Sequence, residues 1–264
     1  GWGVHSKMKA LVYTGPTQLR YQDVPDPAQN VGTQLIRIDS VGICGSDMHA
    51  FLGHDERRPA PLILGHEAAG VIVGGARDDE QVTINPLVSC GTCPACLAGR
   101  DNLCPDRQII SMPPRQGAFA EWVTMPDQNL VTVPKDIPLE KAALAEPIAC
   151  GWHAVKLALA AVRNDPSELK VLVIGGGAIG LGAAISAQAL GVHNITMLEP
   201  NDVRRDYLLK NCGQKVLSPD TLESGSDFDI VVDGVGYEAT RETASAQVKP
   251  GGVIAHIGLG SAVG

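Results

Sequence analysis

Hydrophobic and polar positions follow one rhythm in the first three-fifths of this chain and another in the rest. Residues 34–41 (Gln-Leu-Ile-Arg-Ile-Asp-Ser-Val) alternate apolar with polar, the period of a half-buried strand. Similar short runs predict strands over 8–13, 68–73, 81–84, 117–124 and 129–133. Gly15-Pro16 and loops carrying Pro25, Pro27, Pro59 and Pro61 punctuate them. Many short strands with Gly/Pro turns predict a mostly-β domain with a partly closed barrel. A helix is expected to begin over 139–144 and to carry Glu146, which precedes Pro147 and is therefore placed at an irregular point of the backbone.

After Asp165-Pro166 the pattern changes. Residues 170–174 (Lys-Val-Leu-Val-Ile) are continuously apolar after the lysine, as expected of a parallel strand buried on both faces. Strands are likewise predicted over 195–198, 215–217, 229–233 and 253–258, with helices over 181–190, 202–212 and 238–248 between them. Strands alternating with helices give right-handed crossovers and a doubly wound α/β sheet.

Composition narrows the function classes. The chain has 264 residues, a formal net charge of −8 and only 4% aromatic residues, so neither a polyanion-binding face nor a base-stacking surface is expected. No apolar segment approaches the ~18 residues of a spanning helix. No membrane or nucleic-acid partner is therefore expected, and the cytoplasm is the expected location. A natural start is expected at Met8, with residues 1–7 as an expression remnant.

Seven cysteines are present, and four of them, Cys90, Cys93, Cys96 and Cys104, crowd one loop. Successive Cys-x-x-Cys steps let thiolates converge, and the fourth closes a tetrahedron, the arrangement of a structural zinc. The iron–sulfur run Cys-x2-Cys-x2-Cys-x3-Cys differs in its last gap, which here is seven residues. A second set lies upstream: Cys44, then Gly65-His66-Glu67. Thiolate, imidazole and carboxylate of mixed type suit a catalytic zinc, which keeps one position open.

The run Gly175-Gly-Gly177-Ala178-Ile179-Gly180 follows a strand and opens a helix, and Glu199 stands nineteen positions after its last glycine. That context makes it a dinucleotide-binding turn. Gly175 permits the turn, Gly177 admits the pyrophosphate to the backbone, and Gly180 allows close helix–strand packing. Ala178 and Ile179, at the helix start, offer unpaired amides to the pyrophosphate. Glu199 accepts bonds from the adenosine ribose and repels a 2′-phosphate, favouring NAD over NADP. Arg204 and Arg205 could pair with such a phosphate, but beside Glu199 they read as solvated cations on the next helix.

With these motifs in order — Cys44-Gly-Ser46-Asp-x-His49, Gly65-His66-Glu67-x-x-Gly70, the four-cysteine lobe, Glu146-Pro147, Gly175-x-Gly177-x-x-Gly180 — the chain resembles the zinc-dependent medium-chain alcohol dehydrogenases, most closely their polyol (sorbitol-like) branch. The resemblance implies a GroES-like catalytic domain over 8–152, its structural-zinc lobe over about 89–105, and a Rossmann domain over 153–264. It implies Cys44 and His66 as ligands of a catalytic zinc, with Glu146 or Glu67 supplying the carboxylate. Glu146 is preferred there for its Glu-Pro pair, and Cys150 competes. By the same carry-over Ser46 accepts the substrate hydroxyl proton, His49 passes it towards solvent, and hydride moves to a nicotinamide held between the domains. Further implications are a homo-oligomer, dimer or tetramer, and a chain continuing past Gly264 with a sixth strand and a return to the catalytic domain. The loop at 73–82 is shorter than the family's, and a trimmed loop without loss of chemistry is expected. Two other readings stand beside this one: an amino-alcohol (threonine-type) dehydrogenase, and a non-catalytic nucleotide-binding relative.

Overall fold

The structure, a computed structural model, describes residues 7–225 and 227–258. The expected remnant therefore lies, apart from Lys7, outside the described residues. The chain divides into two compact units, Gly1–Glu146 and Pro147–Gly264.

The first unit is antiparallel. Its strands are β1 (Lys7–Gly15), β2 (Gln18–Pro25), β3 (Thr33–Gly42), β4 (Leu62–Ile63), β5 (Glu67–Val73), β6 (Gln81–Ile84), β7 (Leu87–Val88), β8 (Gln108–Ile109), β9 (Trp122–Pro126) and β10 (Leu130–Thr132). Short helices α1 (Gly45–Phe51), α2 (Pro94–Leu97) and α3 (Leu139–Ala142) lie among them. One sheet runs β2-β1-β4, a second β10-β6-β5-β3-β9, and β7 pairs with β8 alone. Alternating residues Ile36, Ile72, Val82, Ile84, Val123 and Met125 turn one face of the larger sheet into a core. The strand expected over 117–124 starts later, at Trp122; before it, the Gly117, Ala118 and Phe119 amides donate to the carbonyls of Ile63, Gly65 and Leu64. The loop after β5 is stapled by Arg77, which donates to Glu80, Asp127, the Leu130 carbonyl and Thr132.

The second unit is a parallel sheet of β11 (Lys170–Ile174), β12 (Asn194–Leu198), β13 (Val216–Leu217), β14 (Phe228–Asp233) and β15 (Val248–His256), in the order β13-β12-β11-β14-β15. Helices α4 (Ala145–Val162), α5 (Ala178–Ala189), α6 (Asp202–Asn211) and α7 (Glu238–Gln247) accompany it. Val171 and Val173 pack with Ile230, Val232 and Ala183 on one face; Leu172 and Ile174 pack with Val231 and Ala244 on the other. Burial on both faces is why β11 shows no alternation.

The expected single helix over 139–144 is instead two, α3 and α4, and Glu146 lies in the first turn of α4 rather than at an irregular point. Pro147 is tolerated there because the N–H it lacks would have had no intrahelical partner.

Candidate metal centre and dinucleotide turn

β3 ends at Gly42, and two residues later Cys44 stands at the N-cap of α1. Asp47, in the third position of that helix, turns back: its Oδ2 accepts the Cys44 amide at 2.9 Å and its Oδ1 the Gly65 amide at 3.1 Å. One buried carboxylate thus ties the residue before α1 to the residue before His66. His66 and Glu67 follow at the start of β5, both buried.

This local wiring brings ligand atoms of Cys44, His66 and Glu67 to within 4.8 Å of one another. The His66 Nδ1 is buried without a hydrogen-bond partner and lies 3.7 Å from Asp47 Oδ1, a charge contact longer than a hydrogen bond. Burial alone would lower the His66 pKa, but Asp47 and Cys44 outweigh it and raise it to about 10. Asp47 is held below its ordinary value because His66 and the two amides outweigh its own burial. Burial, reinforced by the charge of Glu146, pushes Glu67 up. A soft thiol, an imidazole and a carboxylate, buried and converging, form a donor set that fits a zinc ion with a position left over.

The structure groups Glu67 with Cys44 and His66, and Glu146 is near enough to act on Glu67 through its charge. Cys150, in the second unit, is exposed on α4. Ser46 and His49 are three residues apart on α1, so they share a helix face. The His49 ring meets His54 edge-on, with centroids 6.2 Å apart.

The four lobe cysteines also fall within 4.8 Å of one another. They lie between paired β7 and β8, and backbone amides aim at their sulfurs: Cys90 N–H at Cys104 Sγ (3.4 Å), Cys93 N–H at Cys90 Sγ (3.3 Å), Cys96 N–H at Cys93 Sγ (3.4 Å). The Thr92 amide and hydroxyl, with the Cys93 amide, bring the Cys90 thiol down to about 6, towards the thiolate that metals need.

In the second unit, Gly175 has φ +98°, a conformation that favours glycine, and a Cβ on Gly180 would overlap the Gly175 carbonyl. A Cβ on Gly177 would meet no protein atom, so that side of the turn is open for a ligand to approach. Ala178 and Ile179 form the first positions of α5, where amides lack intrahelical partners. Glu199, at the end of β12, is buried and accepts from the Gly176 amide (3.3 Å), the Asn201 amide (3.0 Å) and Arg204 Nη1 (2.9 Å). Arg204 is exposed on α6, as expected of a solvated cation, whereas Arg205 is partly buried. Arg204 is ion-paired with Glu199, while Arg205 donates to the Glu199 carbonyl at 2.7 Å and pairs with Asp202, because both side chains fold back over the strand end.

Known proteins agree with this layout. Residues 30–135 match the alcohol dehydrogenase GroES-like domain family. The chain is 33% identical to the sorbitol dehydrogenase of Bacillus subtilis, over 98% of its own length and 77% of that protein's. It belongs to the zinc-dependent medium-chain alcohol dehydrogenases, in their polyol branch. L-galactonate-5-dehydrogenase of Escherichia coli is another relative in this family, 34% identical over 96% of the chain and 77% of its own length. Among solved structures, a zinc-binding dehydrogenase from Sinorhizobium meliloti bound to NADP superposes with a TM-score of 0.85 at 27% identity, over 96% of this chain and 77% of that one. The chain thus spans about three quarters of the length of these dehydrogenases. Among the described residues, no helix is long and apolar enough to cross a membrane.

One feature of the candidate site escaped the sequence. Asp47 was visible only as a motif letter, and its double bond to the Cys44 and Gly65 amides has no signature in spacing.

Proposed function

We propose that this chain is an NAD-linked polyol dehydrogenase in which Cys44, His66 and Glu67 hold a catalytic zinc. The observation that carries the reading is the convergence of these three unlike donors within 4.8 Å, fixed from behind by Asp47. Zinc, when bound, supplies a Lewis acid that lowers the pKa of an alcohol into the neutral range. Glu146 keeps a second carboxylate near Glu67, so the local negative charge exceeds what three ligands provide and favours a cation.

Ser46 is the group that accepts the substrate hydroxyl proton, and His49, on the same face of α1, carries it on towards solvent past the edge of His54. The Gly175–Gly180 turn and the first amides of α5 bind the pyrophosphate of the dinucleotide. Glu199 receives the adenosine ribose hydroxyls, and Arg204, paired with it, stands at the edge of the same site. The redox chemistry belongs to the nicotinamide; the chain contributes position and electrostatics. The substrate class follows the relatives, whose names include sorbitol and L-galactonate-5-dehydrogenase, so a secondary hydroxyl of a sugar alcohol or sugar acid is the expected target. The four-cysteine lobe holds a second, structural zinc.

The test is a panel of sugar alcohols, vicinal diols and amino alcohols offered to the zinc-loaded chain with NAD and NADP in parallel, followed by absorbance of the reduced nicotinamide. Oxidation of a polyol, faster with NAD, is expected. Turnover of amino alcohols alone would transfer the chain to threonine-type chemistry, and no turnover of any class would end the enzymatic reading.

A further inference from the structure

We infer that Gly42 is a positioning residue that sets Glu67, rather than another carboxylate, in the metal centre. The inference rests on the three-ligand centre proposed above and concerns how its carboxylate is placed.

Gly42 and Glu67 are the last pair of the β3–β5 ladder and stand directly opposite each other. In an antiparallel pair the two side chains at such a position ordinarily share the space above the sheet. Here one partner has no side chain, and the Glu67 carboxylate folds into the vacancy. A Cβ on Gly42 would overlap Glu67 Oε2 and stand 3.2 Å from Glu67 Cβ and 3.4 Å from Cδ. The three nearest atoms it would meet all belong to that one side chain.

Backbone conformation does not explain the glycine, because Gly42 is not among the residues with positive φ. Nearby Gly70 makes the contrast: a Cβ there would strike the Arg37 backbone carbonyl, so that glycine serves the packing of the strands. At Gly42 the obstacle is the far end of a flexible side chain, which can swing away with little cost to the fold. It would have to withdraw by about 1 Å to regain ordinary contact distance. A metal site needs its ligands held to within about 0.5 Å, so a displacement harmless to folding is large for the centre. Gly42 thus keeps the Glu67 carboxylate folded back beside Cys44 and His66.

The test compares the full chain with its Gly42→Ala variant, loaded with zinc and then titrated with a chromophoric chelator, while melting is followed in parallel. The lobe zinc serves as the internal control. Both proteins should keep that ion and melt alike, whereas the second zinc should bind tenfold to a hundredfold more weakly in Gly42→Ala, the usual cost of disturbing a ligand's support. Cobalt substitution gives an independent readout: the absorption from the Cys44 site should change in Gly42→Ala while that of the lobe stays as it was. A variant that holds both ions with unchanged affinity, or that loses its fold and lobe zinc together, overturns the inference. A parent chain that takes only one zinc fails differently, by removing the three-ligand centre itself.

Discussion

Asp47→Ala is the perturbation that probes the metal centre from behind without touching a ligand. The carboxylate accepts two backbone amides, at 2.9 Å and 3.1 Å, from a site only 3% exposed. A hydrogen bond to a charged group contributes about 1.5–3 kcal/mol net, and an amide left buried and unpaired costs about 1–3 kcal/mol. The two bonds share one acceptor and are not additive, so we expect a loss of about 2–4 kcal/mol. For a unit of this size that corresponds to a fall in Tm of roughly 6–12 °C. Because the same carboxylate fixes the residue before α1 and the residue before His66, the zinc affinity of the Cys44 site should drop about tenfold to a hundredfold, with the lobe unaffected. Calorimetric melting and chelator titration of the zinc-loaded chain provide the two readouts. A variant that melts within about 2 °C of the parent and binds its second zinc equally well would refute the reasoning, since it would mean that the amides find other partners.

The remaining predictions concern other parts of the chain. Asp55 is half-buried beside Arg57 and Arg58; although burial opposes it, these arginines hold its carboxyl down at about 2. A depressed carboxyl stabilises the fold above its unfolded pKa of 3.8, and that contribution fades as pH falls through about 2. The stability gap between the parent and Asp55→Asn should therefore be largest above pH ~5, by about 1 kcal/mol once solvent screening is allowed for, and narrow below pH ~4; a gap independent of pH in acid denaturation would contradict this. Glu199→Ser removes the charge facing a 2′-phosphate and leaves Arg204 without its ion pair, so the ratio of NADP to NAD in kcat/KM should rise at least about tenfold; an unchanged ratio would exclude Glu199 from cofactor choice. Cys104→Ala should release the lobe zinc alone and lower Tm, while the Cys44 site still binds its ion in the chelator titration.

What the sequence revealed and what it hid follows from the physics of each segment. β11 and the turn after it were legible because burial on both faces leaves an uninterrupted apolar run and because Gly175 and Gly180 answer to a backbone conformation and a close approach. The four-cysteine lobe was legible because metal ligands must recur at short intervals. β2 was not foreseen: Gln18–Pro25 is exposed over nearly its whole length, so no period of burial marks it, and only its pairing with β1 makes it a strand. α1 was missed because seven residues are too few to display a helical period. The choice between Glu67 and Glu146 was open because both are carboxylates beside a distinctive neighbour. In the structure Glu67, opposite Gly42 on β3, groups with Cys44 and His66.

The central claim is that a zinc ion is held by Cys44, His66 and Glu67 in addition to the one in the lobe. Metal analysis of the purified full chain and of Cys44→Ala tests it most directly. Two zinc ions per chain falling to one in the variant is the predicted result, and an equal zinc content in the two proteins would contradict it.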